Sequence, residues 1–397
     1  MCAGGDVARA ARLLRFLAGF DGAISTTYAH QIFAARPVAA VRAAATPPFL
    51  AATGLTDAVV DAAKARERGR RVLAVMPRYL ARRYEVIDNL MRSAAQFGLE
   101  PREFDGFAYR DRPDDYAPAL LEAMIAFRPA VVYYADLFEN DVASFSPALA
   151  AQVVEVLAWA RANLGVRVVR YLQDAWRTAV RVGGDLYAGL GHCVDLVVHQ
   201  YPGVLDRGEP AQRAAVFCFP TPCHLPPSTA APGAIARACF TGRIHEWASP
   251  RAVWWVECTR LGLPIDWQVQ LPDDTARAAE PPLSDQDYAD RLRGYAVSLS
   301  LVSRLNGTRI MPARALETLR CGGTLLEERS PDTAYFLTPD RHYATFETLA
   351  ELREMLPALI ADRPRRRALA DEGERWVRKY FDGDYFWAGL LDRLAAL

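Results

Sequence analysis

Lysine is nearly missing from this sequence: of 47 basic residues, only Lys64 and Lys379 are not arginine. An excess of either charge is missing too, because 47 acidic residues balance them across 397 positions. Such a chain has no general attraction for nucleic acid or anionic lipid, which excludes a histone-like or tail-driven binder and makes any anion site local. Long apolar runs are also absent. None approaches the roughly 18 residues of a membrane span. Asp6, Arg9, Arg12 and Arg15 interrupt the first twenty residues, where a signal peptide needs an unbroken apolar centre. A cytoplasmic protein with no integral membrane segment is therefore expected. The seven cysteines are odd in number and follow no disulfide framework. Cys218, Cys223 and His224 lack the partner pair of a metal site, so reduced, buried thiols and no metal are expected. P-loop, HExxH and GxSxG motifs are absent as well, which removes several enzyme classes.

What is present is globular. Apolar residues make up 51% and charged residues 24%, and the length suits two or three domains. The arginine bias has two readings: planar forks suited to phosphate, or the coding habit of a GC-rich genome. Residues 1–70 are alanine-rich and predict a helical extension, with Leu13, Leu14, Phe16 and Leu17 on one helix and Thr56-Asp57 capping another. From Arg71 onward, short apolar runs alternate with helix-period stretches. Runs at 71–76, 129–134, 166–171, 194–198 and 214–219 read as buried strands. Helices are expected near 85–97, 116–127, 147–164 and 179–190.

Leu225-Pro-Pro-Ser-Thr-Ala-Ala-Pro232 has the composition of a linker. The alternation then restarts with strands at 237–241, 265–269, 296–302 and 324–326. Helices fall at 250–261, about 285–293, 312–320 and, in two pieces, 348–380. The expectation is an α/β chain of two Rossmann-like doubly wound domains facing a cleft: 71–225, and 226–397 with its C-terminal helices.

Chemistry concentrates between Asn306 and Glu327. There a strand ends at Asn306-Gly307, a helix starts near Pro312, and Gly322-Gly323 stop it. A helix N-terminus at a sheet's carboxyl edge offers free N–H groups and a positive dipole end for a diphosphate. Arg309 and Arg314 can add bidentate contacts, and the acceptor-only oxygens of Glu317 suit a ribose diol. Gly242, in Thr241-Gly242-Arg243, permits close approach of a ligand to the backbone, with Arg243 as a further phosphate candidate. Elsewhere, Asp174 and Asp136 follow strands and can serve as a general base or as helix caps. His199 also follows a strand, as a base or as a satisfied structural histidine. His30 and His245 are weaker candidates.

The segment Arg314-Ala-Leu-Glu317-Thr-Leu-Arg-Cys321-Gly-Gly323 resembles the C-terminal domain of GT-B-fold glycosyltransferases, most closely the family of the spore maturation protein CgeB. The likeness extends through Glu328-Arg329, Tyr335-Phe336 and Arg367-Ala-Leu-Ala-Asp-Glu-Gly373 to Tyr380-Phe381. It implies a nucleotide sugar held by the C-terminal domain, an acceptor held by the N-terminal domain, domain closure that excludes water, and no metal cofactor. In related retaining enzymes the second glutamate of an E-x(7)-E motif binds the donor ribose, and Glu317 occupies that position. Arg309 occupies the first, which departs from the motif. Asp382-Gly-Asp384 has the D-x-D pattern of a different, metal-using transferase class but reads as a loop. Two alternatives stand beside a transferase: a sugar-nucleotide epimerase, and a non-catalytic nucleotide-sugar-binding protein.

Overall fold

A computed structural model describes residues 47–76, 85–109, 111–135, 147–172, 193–202, 216–244, 249–270, 283–303 and 309–397. The expected helices near Leu13 and at 179–190, the turn at Asn306-Gly307, and the candidates His30, Asp136, Asp174 and His245 lie outside these residues. The chain groups into two units: Leu225–Arg378 together with Phe49, and Leu50–His224 together with Lys379–Leu397.

The first sheet belongs to the second of these units. Strands β1 (Arg71–Met76), β2 (Glu100–Asp105), β3 (Val131–Ala135), β4 (Arg167–Leu172), β5 (Leu196–His199) and β6 (Val216–Cys218) lie in the order β2-β1-β3-β4-β5-β6. Every pairing is parallel. The central strands are continuous apolar runs because both of their faces are buried. β2, Glu-Pro-Arg-Glu-Phe-Asp, escapes that signature. It pairs only with β1 at the sheet edge and alternates in exposure, so it needs no apolar run. Helices α1 (Pro48–Thr53), α2 (Asp57–Glu67), α3 (Glu85–Phe97), α4 (Tyr116–Phe127) and α5 (Pro147–Leu164) precede or connect these strands. Thr56 caps α2 as expected, its hydroxyl accepting from the Val59 N–H (3.3 Å).

The second sheet has the same plan. β7 (Ile235–Arg243), β8 (Ile265–Gln270), β9 (Tyr295–Ser300), β10 (Leu325–Glu328) and β11 (Ala344–Phe346) lie in the order β11-β10-β9-β7-β8, all parallel. In each sheet the first strand is flanked by the second and the third, so chain direction reverses there. In open α/β sheets this switch point, at the strands' carboxyl ends, is where ligands bind. Helices α6 (Pro250–Arg260), α7 (Asp285–Gly294), α8 (Ala313–Arg320), α9 (Pro331–Phe336), α10 (Leu349–Ala361) and α11 (Arg363–Tyr380) complete the unit. Its core joins Phe240, Trp254, Trp255, Trp267, Val297, Leu299, Leu326 and Phe346.

The last helix, α12 (Asp384–Ala396), corrects the expected extent of the C-terminal domain. It packs not on β7–β11 but on the first sheet's unit. Trp387 is fully buried and its Nε1 donates to Ser93 Oγ (2.9 Å). Phe386 meets Tyr133, Phe217 and Phe219. Asp382-Gly383 form the expected loop, which leads into α12 at Asp384. Asp384 pairs with Lys64 (2.7 Å), and Asp382 lies 3.5 Å from His224 Nδ1. At Gly383, with φ +120°, a Cβ would stand 2.4 Å from that of Ser93, so only glycine fits the turn. Of the expected helical extension over 1–70, the described residues form α1 and α2. Among its described residues, α2 packs against α12 and its Asp57 binds Lys379 (3.0 Å) and the Tyr385 hydroxyl, making it part of the same unit.

The described cysteines are buried and form no disulfide among the described residues. No helix among the described residues is long and apolar enough to cross a membrane.

Candidate functional site

The switch point of the second sheet lies between β7 and β9. Gly242 and Arg243 end β7, and the segment leaving β9 leads to the N-terminus of α8. Glu328 fixes the start of that segment. Its Oε2 accepts from the Val302 N–H (2.9 Å) and the Ser303 N–H (3.0 Å), and its Oε1 from the Ser303 hydroxyl. The helix then begins at Ala313 after Pro312, which makes no side-chain cap, and no acidic residue occupies the first turn. The first-turn N–H groups and the helix dipole are thus left without a carboxylate of the chain's own.

Arg314 crosses from α8 to the end of β7. Its Nε donates to Thr241 Oγ1 (3.1 Å), and its guanidinium carbon sits 5.0 Å from the centre of the Phe240 ring. A Cβ on Gly242 would approach Nη2 to 3.1 Å, so the missing side chain is what lets the guanidinium lie here. Nη1 is buried and has no protein acceptor. A buried N–H donor of a charged group without a partner is costly, and an anion at this edge would satisfy it.

Glu317 stands one helical turn further along α8 on the same side, half-buried, and accepts from the Tyr288 hydroxyl of α7 (2.8 Å). Arg309 sits at the same carboxyl edge but is engaged by protein. It donates to the Arg329 carbonyl (3.2 Å) and lies 3.5 Å from Glu347, which also pairs with Arg329 (3.4 Å). The structure therefore brings Gly242, Arg243, Arg314 and Glu317 to one edge. It places Arg309 beside them, in a network that ties the ends of β10 and β11.

One residue of this edge escapes sequence reasoning. Glu327, on β10, is fully buried, and no hydrogen bond reaches either carboxyl oxygen. Burial pushes its pKa up to about 7; the nearby hydroxyls of Thr333 and Ser300 and the Arg314 charge oppose the shift, while Glu328 reinforces it. A folded-state value above the unfolded one gives stability that is complete below pH 4.5 and lost as pH rises through about 7. The loss is on the order of 3 kcal/mol. Glu327→Gln is expected to abolish that part of the pH dependence. Urea unfolding midpoints between pH 5 and 8 check this, and parallel curves for the two proteins would contradict it.

His199 ends β5 in the other unit and is fully buried. The Tyr201 N–H donates to its Nδ1 (3.1 Å), and burial lowers its pKa to about 4. The imidazole is thus neutral at pH 7, with its acceptor nitrogen already used. Among the described residues, its Nε2 is buried without a hydrogen-bond partner.

Residues 243–392 match a family described as glycosyl transferase-like. Among solved structures, HepE from Anabaena in complex with UDP and glucose aligns with a TM-score of 0.52 at 9% identity, covering 83% of this chain and all of that one. The same protein in complex with UDP-glucose aligns at 0.52 and 10% identity, covering 82% of this chain and all of that one. Sucrose-phosphate synthase from Thermosynechococcus elongatus aligns at 0.51 and 9% identity, covering 82% and 98%. No curated protein sequence gives a significant match.

The two parallel α/β units and these structural neighbours define the GT-B fold. With the family match over the C-terminal part, the chain is a glycosyltransferase by class.

Proposed function

We propose that this glycosyltransferase takes its sugar from a nucleotide-sugar donor bound at the carboxyl edge of β7 and β9. The observation that carries this reading is Arg314. Its guanidinium is pinned by Thr241 and Phe240 opposite a glycine, and it keeps one buried N–H without a protein acceptor. In the proposed complex that fork and the first-turn N–H groups of α8 hold the diphosphate, with Gly242 allowing close approach. Such preorganised donors stabilise the negative charge that grows on the leaving diphosphate as the glycosidic bond breaks. Glu317, held by Tyr288, accepts from the ribose hydroxyls. The donors named in the HepE structures, UDP and UDP-glucose, support this class of ligand. Kinship with the CgeB family rests on Arg314, Glu317, Cys321, Gly322 and Gly323, together with the downstream pattern through Tyr380-Phe381.

Calorimetric titration with UDP-, GDP-, TDP- and ADP-sugars tests the reading, and binding of none of them would overturn it. Product analysis without acceptor separates the alternatives. Slow hydrolysis to free sugar is the transferase result, and a new nucleotide sugar would mean an epimerase. Glu317→Ala is expected to weaken donor binding by about 1–3 kcal/mol through loss of charged hydrogen bonds. Unchanged affinity in that titration would remove Glu317 from the site.

We also infer that transfer needs no divalent metal, since arginine and helix dipole supply the positive charge. Full turnover in excess EDTA is the expected result, and loss of activity restored by Mg²⁺ or Mn²⁺ would refute it.

A further inference from the structure

The opposite, amino-terminal edge of the same sheet holds a second concentration of arginine. A cavity of about 290 Å³ opens there, walled by the first residues of β9 (Tyr295, Ala296), Thr324 ahead of β10, and Gly233 and Gly322. Four guanidiniums line it: Arg293 from the end of α7, and Arg363, Arg366 and Arg367 from the first turn of α11. Two carboxylates also reach it, and each already has a cation of its own. Asp371 pairs with Arg367 (3.5 Å) and Glu374 with Arg378 (2.7 Å).

Among the described residues, the other three arginines have no carboxylate within ion-pair distance. Arg366 is only 9% exposed, yet it makes no ion pair. Its Nη1 donates to the carbonyls of Leu359 (3.1 Å) and Ile360. Its Nη2 stands on the cavity wall, 3.4 Å from where a Gly233 Cβ would be. Arg293 bonds only the Ser228 carbonyl (3.4 Å), and its Nε is buried without an acceptor. A guanidinium nine-tenths buried without an ion pair is expensive to keep, and arginine cannot escape by losing its proton; the opposing charge acting on it is that of Asp362. Burial, with Arg363 close by, holds Arg366 below the ordinary arginine range, and Asp362 opposes the shift.

We propose that this cavity is a second anion site, distinct from the donor edge, and that it binds the phosphate dianion of orthophosphate or of a small phosphomonoester. The surplus of positive charge asks for a dianion rather than a carboxylate. Guanidinium forks from two helices match its tetrahedral oxygens. The cavity is larger than one orthophosphate and leaves space for a small organic group beside it. Helix α8 carries Arg314 at the donor edge and ends two residues before Gly322 at this cavity, so one segment links both sites.

Titration of inorganic phosphate and of glucose 6-phosphate into the Arg314→Gln protein tests this, because that background disables the donor edge. One saturable site per chain is expected. Arg293→Gln, and the double change Arg363→Gln with Arg367→Gln, are each expected to weaken it about tenfold or more with unchanged circular dichroism. The double change affects residues of the exposed first turn, so it bypasses any folding defect at Arg366. Equal affinity for the two probes identifies orthophosphate as sufficient, and tighter glucose 6-phosphate identifies a phosphomonoester site. Absence of saturable binding for both probes, or binding indifferent to these substitutions, would overturn the proposal.

Discussion

Arg314→Gln is expected to weaken donor binding by about 2–5 kcal/mol, the usual cost of truncating one side of a desolvated, hydrogen-bonded charge pair. The arginine is held before any ligand arrives, by Thr241 Oγ1 and by the Phe240 ring, so little rotamer entropy is lost on binding. Lysine at this position keeps the charge but not the fork, and is expected to fall between wild type and glutamine. Gly242→Ala provides an independent test without touching the charge. Its methyl would come within 3.1 Å of Nη2 and push the guanidinium away, so donor affinity should drop; at φ +157° the added side chain also strains the backbone, so some loss of melting temperature accompanies it. Calorimetry with the donor that binds wild type reads all three variants. Wild-type affinity in Arg314→Gln would place the diphosphate elsewhere.

The largest expected effect on stability is remote from that edge. Trp387→Ala should cost about 3–5 kcal/mol, because the indole is fully buried and its removal leaves a cavity and takes away the hydrogen bond it donates to Ser93. Around it, Phe386, Phe217 and Phe219 pack as one aromatic group, and Gly389 lies so close to Phe217 that a Cβ would stand 2.7 Å from its ring. Chemical denaturation measures the loss. The two units together make a single transition unsafe to assume, so fluorescence and circular dichroism should be followed side by side. A shift below about 1 kcal/mol would show that α12 contributes little to the fold of its unit.

Much of the donor unit is legible in its residues. Strands such as Ala296–Ser300 and helices such as Pro250–Arg260 carry the periods that burial demands, and Gly322-Gly323 mark the end of α8 within a residue. The elements that escape are those whose burial comes from distant neighbours. β11 is three residues long, Ala-Thr-Phe, and becomes a strand only because β10 supplies its ladder. Glu327 lies in a segment of two consecutive glutamates, where nothing local separates the one that holds Val302 and Ser303 from the one sealed without a hydrogen bond. Pleat alternation puts adjacent residues on opposite faces, and only the packing decides what each face meets. Arg309 has the right type and spacing for phosphate, yet Glu347, thirty-eight residues later, engages it.

By itself, the sequence determines the α/β class, the two repeats of the alternation, and the Gly242, Arg314 and Glu317 set at one strand edge. Those features depend on local periodicity and on chemistry carried within a few residues. Only the tertiary structure decides which arginines have partners and where the last helix belongs. A charge is spent or left over according to contacts tens or hundreds of residues away, as Lys64 with Asp384 and Arg366 without an ion pair both show. The near-absence of lysine thus reads as a property of the whole chain, whereas the arginines left unpaired at the two edges of one sheet are a property of its fold.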